Sequence, residues 1–288
     1  MPEGDTIFRA AHTLHRALAD HIVTRFESMY PALTRVDQDA PIAGRVVTRV
    51  EARGKHLLMH FAAAPDGDDS RAAKAMVLRT HMRMHGSWHI YRHGERWQLP
   101  RRDARIVIET AAFVAVGFNV PVAEFLEEGR EDRQDDLKRI GPDLLGERFD
   151  EDEAVRRLLA RGAQPIAEAL LNQRVVAGIG NVYKSEVLFL ERVHPQTPAS
   201  SVPEPAVRAL LRTARRLLRA NVADASAEIV TYRGLRRTTG RTDPEARLWV
   251  YGRGGKPCRR CAASIRYVKS GLDARGTYWC AACQPSGS

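Results

Sequence analysis

The chain has 288 residues, more than one typical domain, and its 44% hydrophobic content is enough for real cores. No apolar run approaches the roughly 18 residues of a membrane span, which excludes a helical membrane protein. Lys and Arg outnumber Asp and Glu by 45 to 35, a formal charge of +10, and an arginine-led excess suits a polyphosphate partner because guanidinium forks match phosphate oxygens.

Residues 5–19 read as an amphipathic helix. Ile7, Ala11, Leu14 and Leu18 recur at helical spacing, and Asp5 or Thr6 can cap the start. The lead-in Met1-Pro2-Glu3-Gly4 carries chemistry of its own. Methionine before a small residue is normally trimmed, which would leave Pro2 with a free secondary amine able to attack an aldehyde-level carbon. A terminal amine titrates near ~8, against about 10.4 for lysine, and the positive end of the following helix favours its neutral form. Glu3 stands beside it to give or take a proton. The plainer alternative is a helix lead-in with proline at its ordinary first-turn position.

From about 42 to 62, and again from 76 to 118, short β-branched and apolar runs predict the strands of an antiparallel sandwich or barrel. Arg53-Gly54-Lys55-His56 lies between two such runs, where glycine permits a tight turn and Lys55 is a solvated or a functional lysine. Residues 65–70 read as a surface loop, and the acidic stretch 121–150, closing on Gly141-Pro142, as a linker. From 151 to about 222 the pattern is helical throughout. Within it a helix ends near Arg174, Gly178 and Gly180 make a compact double turn, and a second helix begins near Asn181. Backbone N–H groups at such turns bind phosphate well, although a packing turn has the same form. Residues 223–246 have no clear period and form a long loop, either disordered or functional.

The only cysteines, Cys258, Cys261, Cys280 and Cys283, stand as C-x2-C-x18-C-x2-C. Each short spacing lets one turn present two thiolates to one ion, and the long one fits a hairpin that returns the second pair to the first. One structural zinc is expected, with all four positions filled and none open for chemistry; two disulfides are the alternative. With no leader-like stretch after Met1 and no cysteine elsewhere, a reducing cytosol is expected.

Taken in order, PEGDT at the start, RGKHLL at 53–58, HMRMHGSW at 81–88, NQRVVAGIGNVYKSE at 172–186 and the terminal ribbon resemble the formamidopyrimidine-DNA glycosylase/endonuclease VIII family. The resemblance implies an α+β multidomain fold. Its parts would be an N-terminal β-sandwich domain with its helix (1–125), a linker (126–150), a helix–two-turn–helix domain (151–246, with the loop at 223–246) and a zinc finger (247–288). It implies a bifunctional DNA glycosylase/AP lyase of base excision repair. Pro2 would be the nucleophile on the deoxyribose, Glu3 the general acid, Lys55 a phosphate contact that assists β-elimination, and Arg275 the δ-elimination and phosphate arginine. Asn181 would hold a phosphate beside the lesion, with Arg139, Tyr183 and Lys184 as further DNA contacts. A flipped base leaves a gap in the stack, and Arg83, Met84 and His85 in HMRMHG would fill it.

The run 105–119 lacks the DPRRFG-like loop of the purine-directed enzymes and reads like endonuclease VIII strands, so oxidised pyrimidines are expected. The segment VAGIGNVYKSE with the following VHP is closer to the purine-directed branch, and together these look like the actinobacterial endonuclease VIII-like subgroup. The expected partner is damaged double-stranded DNA, with single-stranded or bubble DNA as a further form. A bacterial, nucleoid-associated monomer is expected. The alternatives are a formamidopyrimidine/8-oxoguanine glycosylase and a non-catalytic, zinc-dependent damaged-DNA-binding protein.

Overall fold

In the computed structural model, which describes residues 2–64, 74–130, 133–223, 236–239, 241, 243–270 and 275–286, the first amphipathic pattern becomes helix α1 (Gly4–Leu18), burying Ile7, Ala11, Leu14 and Leu18. There follow β1 (Val23–Ser28) and α2 (Pro31–Asp39), the latter opening on proline in its first turn. The stretches expected to be strands hold β2 (Val47–Arg53), β3 (His56–Phe61), β4 (Met76–His81), β5 (Ser87–Tyr91), β6 (Ala104–Thr110) and β7 (Val114–Phe118). A further strand, β8 (Val122–Glu127), comes from the stretch expected to begin the linker.

The strands form two four-stranded antiparallel sheets, ordered β1-β6-β7-β5 and β2-β3-β4-β8. Alternate side chains of both sheets share one core with the apolar face of α1. Leu57, Met59, Phe61 and Leu78 come from one sheet, and Ile106, Ile108 and Ala115 from the other. This is the expected sandwich.

The chain divides into two compact units whose described residues part between Arg139 and Ile140, with the short helix α3 (Asp135–Lys138) in the first. The second holds α4 (Glu151–Leu159), α5 (Ile166–Leu171), α6 (Asn181–Leu190) and α7 (Glu204–Ala223) around a separate core. Asp150 caps α4 by accepting from the Glu153 amide at 2.9 Å. Gly141-Pro142 does not end a free linker. The Gly141 amide donates to the Gln173 carbonyl at 2.8 Å, and the Ala177 amide donates to that of Pro142 at 3.0 Å. These bonds seat the segment against the double turn. The same unit includes the antiparallel hairpin β9 (Ile265–Ser270) and β10 (Arg275–Cys280). Most of the expected 223–246 loop lies outside the described residues. Among the described residues no helix is long and apolar enough to cross a membrane.

Candidate active site and nucleic-acid interface

Pro2 is half-buried and leads directly into Glu3, the N-cap of α1, which has no exposed surface. The first turn of a helix carries unsatisfied N–H groups and the positive end of the dipole, so this carboxyl group sits in a dry and polarised place. Asp5 is also buried and accepts from the Thr6 hydroxyl at 3.4 Å. Helix α1 packs on β2 and β3, and at its far end His15 Nδ1 accepts from the Val50 amide at 3.1 Å.

Lys55 occupies the second place of the two-residue turn joining β2 and β3, closed by the pair Arg53 and His56. Gly54 precedes it at φ +60°, the first central position of a tight hairpin that glycine fills without strain. The β3–β4 register sets His56 opposite His81, and their rings meet edge-on at 4.9 Å. Two residues earlier on β4, the buried Arg79 donates Nε to His56 Nδ1 at 3.2 Å, pairs with Asp136 at 3.2 Å and also pairs with Glu124. Burial, then the Arg79 cation, pushes His56 down to about 3. Burial, then the Lys55 and Arg83 cations, pushes His81 down to about 4. Both rings are neutral at neutral pH, beside cations on one edge of the sandwich. Both histidines stand in motifs visible in the sequence, but only the strand register joins them.

The expected wedge residues lie on the turn between β4 and β5, where Arg83, Met84 and His85 are all exposed. Arg83 adopts φ +45°, unusual for a residue with a side chain, while its amide donates to His81 Nδ1 at 3.0 Å. A Cβ on Gly86 would come within 2.6 Å of the Met82 carbonyl oxygen, so only glycine closes this turn. Met82 is buried beneath it, and Met84 stands out at 52% exposure. An apolar, pliable side chain held at the tip of a tight turn is suited to entering a base stack.

In the second unit, Gln173 staples the double turn. Its Nε2 donates to the Leu171 and Ile179 carbonyls at 2.9 and 3.0 Å, and its Oε1 accepts from the Gly178 amide at 3.0 Å. The turn delivers Asn181 to the first position of α6, where its side chain is 7% exposed. Two of the expected DNA contacts, Tyr183 and Lys184, are buried side chains. Tyr183 is wholly buried in the helical core. Lys184 is 1% exposed, and its ammonium donates to Asn181 Oδ1 at 3.3 Å, the Gly276 carbonyl at 3.0 Å and Thr277 Oγ1 at 2.8 Å. Helix α6 is buried all round from Asn181 to Phe189, so Tyr183 packs in the helical core while Lys184, the next residue, meets β10. Arg139 is exposed at the end of α3 and pairs with Asp135 at 3.1 Å. Arg275 opens β10 and is partly exposed. The next residues of α6 continue the hold on the hairpin side. Ser185 Oγ accepts from the Tyr278 amide at 3.4 Å, and the fully buried Glu186 accepts from the Trp249, Val250 and Tyr251 amides at 2.8, 2.9 and 2.8 Å. No reading of the sequence assigned Glu186 a role.

The four cysteines are free thiols whose sulfurs all lie within 4.8 Å of one another, with pairs at 3.5 and 3.9 Å. A tetrahedral zinc with Zn–S near ~2.3 Å sets its sulfurs about 3.8 Å apart, so the cluster fits such an ion. Burial raises Cys280, and burial with the neighbouring thiols pushes Cys283 up to about 12. A full set of thiolates therefore calls for a cation at its centre.

Residues 1–121 match the formamidopyrimidine-DNA glycosylase N-terminal domain and residues 140–232 the formamidopyrimidine-DNA glycosylase H2TH domain. A "Probable endonuclease 8 2" of Streptomyces coelicolor is 39% identical over 99% of this chain and 94% of its own length. A "DNA-(apurinic or apyrimidinic site) lyase Nei2" of Mycolicibacterium smegmatis is 38% identical over 99% of each. Among solved structures, Lactococcus lactis Fpg in complex with abasic-site DNA has the same fold, at TM-score 0.78 and 24% identity over 99% of this chain and 100% of that one. The sandwich, the double-turn helices and the four-cysteine hairpin are thus the parts of a base-excision DNA glycosylase/AP lyase. The chain belongs to the formamidopyrimidine-DNA glycosylase/endonuclease VIII family, in its actinobacterial endonuclease VIII branch.

Proposed function

We propose that the protein removes oxidised pyrimidines from damaged duplex DNA and then cuts the strand by β,δ-elimination, with Pro2 as nucleophile. The Pro2 amine bonds to the deoxyribose C1′ while the bond from C1′ to the base breaks. Glu3 supplies the proton taken up by the sugar ring oxygen or the departing base. The amine then loses its proton, the C1′–O4′ bond opens as that oxygen takes up a proton, and the iminium so formed acidifies the 2′ hydrogen. Its loss expels the 3′ phosphate, and a second elimination expels the 5′ phosphate. Lys55 and Arg275 contact these phosphates, Asn181 holds one beside the lesion, and Arg83, Met84 and His85 fill the gap left by the flipped base. Arg139 is a further DNA contact. Zinc at Cys258, Cys261, Cys280 and Cys283 is structural. The protein works as a monomer, in the cytoplasm with the nucleoid, on duplex DNA and also on single-stranded or bubble DNA.

The observation that carries this reading is Glu3, a carboxyl group without solvent contact at the head of α1, adjoining the one secondary amine that trimming of Met1 would free. The pyrimidine preference draws support from 105–119, which forms β6 and β7 with a short turn where the purine-directed enzymes carry their arginine loop. Borohydride trapping on abasic-site and thymine-glycol duplexes tests the chemistry. A covalent band is expected for the wild type and none for Pro2→Gly, while Glu3→Gln should bind but not release the damaged base. Trapping that survives Pro2→Gly would sink the assignment, and a wild type that never traps would leave only a binding protein. A second reading, a formamidopyrimidine/8-oxoguanine glycosylase, is favoured by the segment VAGIGNVYKSE. Preferential cutting of 8-oxoguanine paired with cytosine would establish it.

A further inference from the structure

We infer that Lys184 is a positioning residue of the phosphate site, a buried ammonium that fixes the Asn181 amide and the start of β10 relative to each other. The inference rests on the reading of Asn181 and Arg275 as phosphate contacts. Lys184 lies one helical turn after Asn181 on α6, and its Nζ reaches Asn181 Oδ1 at 3.3 Å, the Gly276 carbonyl at 3.0 Å and Thr277 Oγ1 at 2.8 Å. Gly276 and Thr277 directly follow Arg275 in the strand.

An ammonium has donors and no acceptor, so the Asn181 amide must turn its oxygen towards Lys184 and its NH2 the other way. That orientation is the one a phosphate contact needs, since phosphate oxygens only accept. An asparagine without such a neighbour can flip, presenting its oxygen to the anion and repelling it. The same ammonium holds the backbone next to Arg275, so the two phosphate contacts, about 90 residues apart in sequence by their numbering, share one rigid support. Burial at 1% exposure keeps the bonds from exchanging with water, and a charged hydrogen bond in such surroundings is among the stronger ones. Its positive charge also raises the potential at the helix start, where the N–H groups of α6 already favour an anion.

The test uses the full-length, zinc-loaded protein with an abasic-analogue duplex for affinity and an abasic-site duplex for products. Lys184→Met keeps the length and removes the donors. Affinity should fall about tenfold, the scale of one charged hydrogen bond, and the ratio of δ- to β-product should fall, with zinc content unchanged. Thr277→Val is the milder variant should Lys184→Met fold poorly, and a smaller shift of the same product ratio is expected. In a double-mutant cycle, Lys184→Met on an Asn181→Ala background should cost much less than it does alone, because its partner is already gone. Additive losses, or an unchanged product ratio in Lys184→Met and Thr277→Val, would overturn the inference. Loss of affinity only in step with loss of zinc would also overturn it, by reducing Lys184 to a structural strut. If instead Asn181→Ala and Arg275→Ala leave affinity and products intact, the phosphate-site reading itself fails and takes this inference with it.

Discussion

His56 and His81 are kept neutral in a place crowded with cations, which makes them sensitive to acid. Their folded values lie at about 3 and about 4, below the ordinary 6.5, so between those limits the unfolded chain binds protons that the folded one refuses. Their contribution to stability is therefore complete above pH 6.5 and is lost as pH falls through that window. Urea unfolding midpoints should drop by an amount equivalent to a few kcal/mol (~1.4 per unit of depression at most) between pH 6.5 and 4. The double variant His56→Gln, His81→Gln should flatten that curve, and a wild-type curve already flat there would refute the picture. Residue by residue, the sequence was legible at the four cysteines, whose spacing foretells the cluster their sulfurs form. The burial of Lys184 was not legible, because lysines are rarely buried without partners and the partners, Gly276 and Thr277, come from a strand some 90 positions away.

At the scale of elements, α6 is the piece on which the second unit turns. It receives the double turn at one end and gives Lys184, Ser185 and Glu186 in succession to the segments that lead into and form the cysteine hairpin. Arg260, between the first two cysteines, lies over the Phe189 ring at 4.6 Å, and Gln284, just past the last, donates to the Val193 carbonyl at 2.8 Å. Chelating the metal should therefore unfold the hairpin locally and release Arg275 while α4 to α7 stay folded. Far-UV circular dichroism should keep most of its helical signal, whereas DNA affinity and δ-product should fall together. Retained affinity after removal would contradict this coupling. The helices and most strands were readable because their apolar spacing is clean. β8 was not, since Glu124 and Glu127 give it an acidic composition, and only its pairing with β4 makes it a strand. β1 and α2 were missed for a related reason: short polar segments gain their structure from neighbours rather than from propensity.

For the molecule as a whole, the formal +10 is a statement about DNA that can be measured. Cations that neutralise phosphates release condensed counterions, so the logarithm of affinity should fall linearly with the logarithm of salt, by about 0.9 per phosphate neutralised. The proposed contacts divide by charge in a way this slope resolves. Lys55 and Arg275 are formal cations with solvent access, and Lys55→Ala or Arg275→Ala should each make the slope shallower by roughly one while weakening binding. Asn181 is neutral, so Asn181→Ala should weaken binding at every salt concentration and leave the slope unchanged. Fluorescence anisotropy with an abasic-analogue duplex between about 50 and 200 mM salt spans a sufficient range. Equal slopes for wild type, Lys55→Ala and Arg275→Ala would mean that neither side chain neutralises a phosphate, and that the excess charge serves solubility or binding elsewhere on the surface.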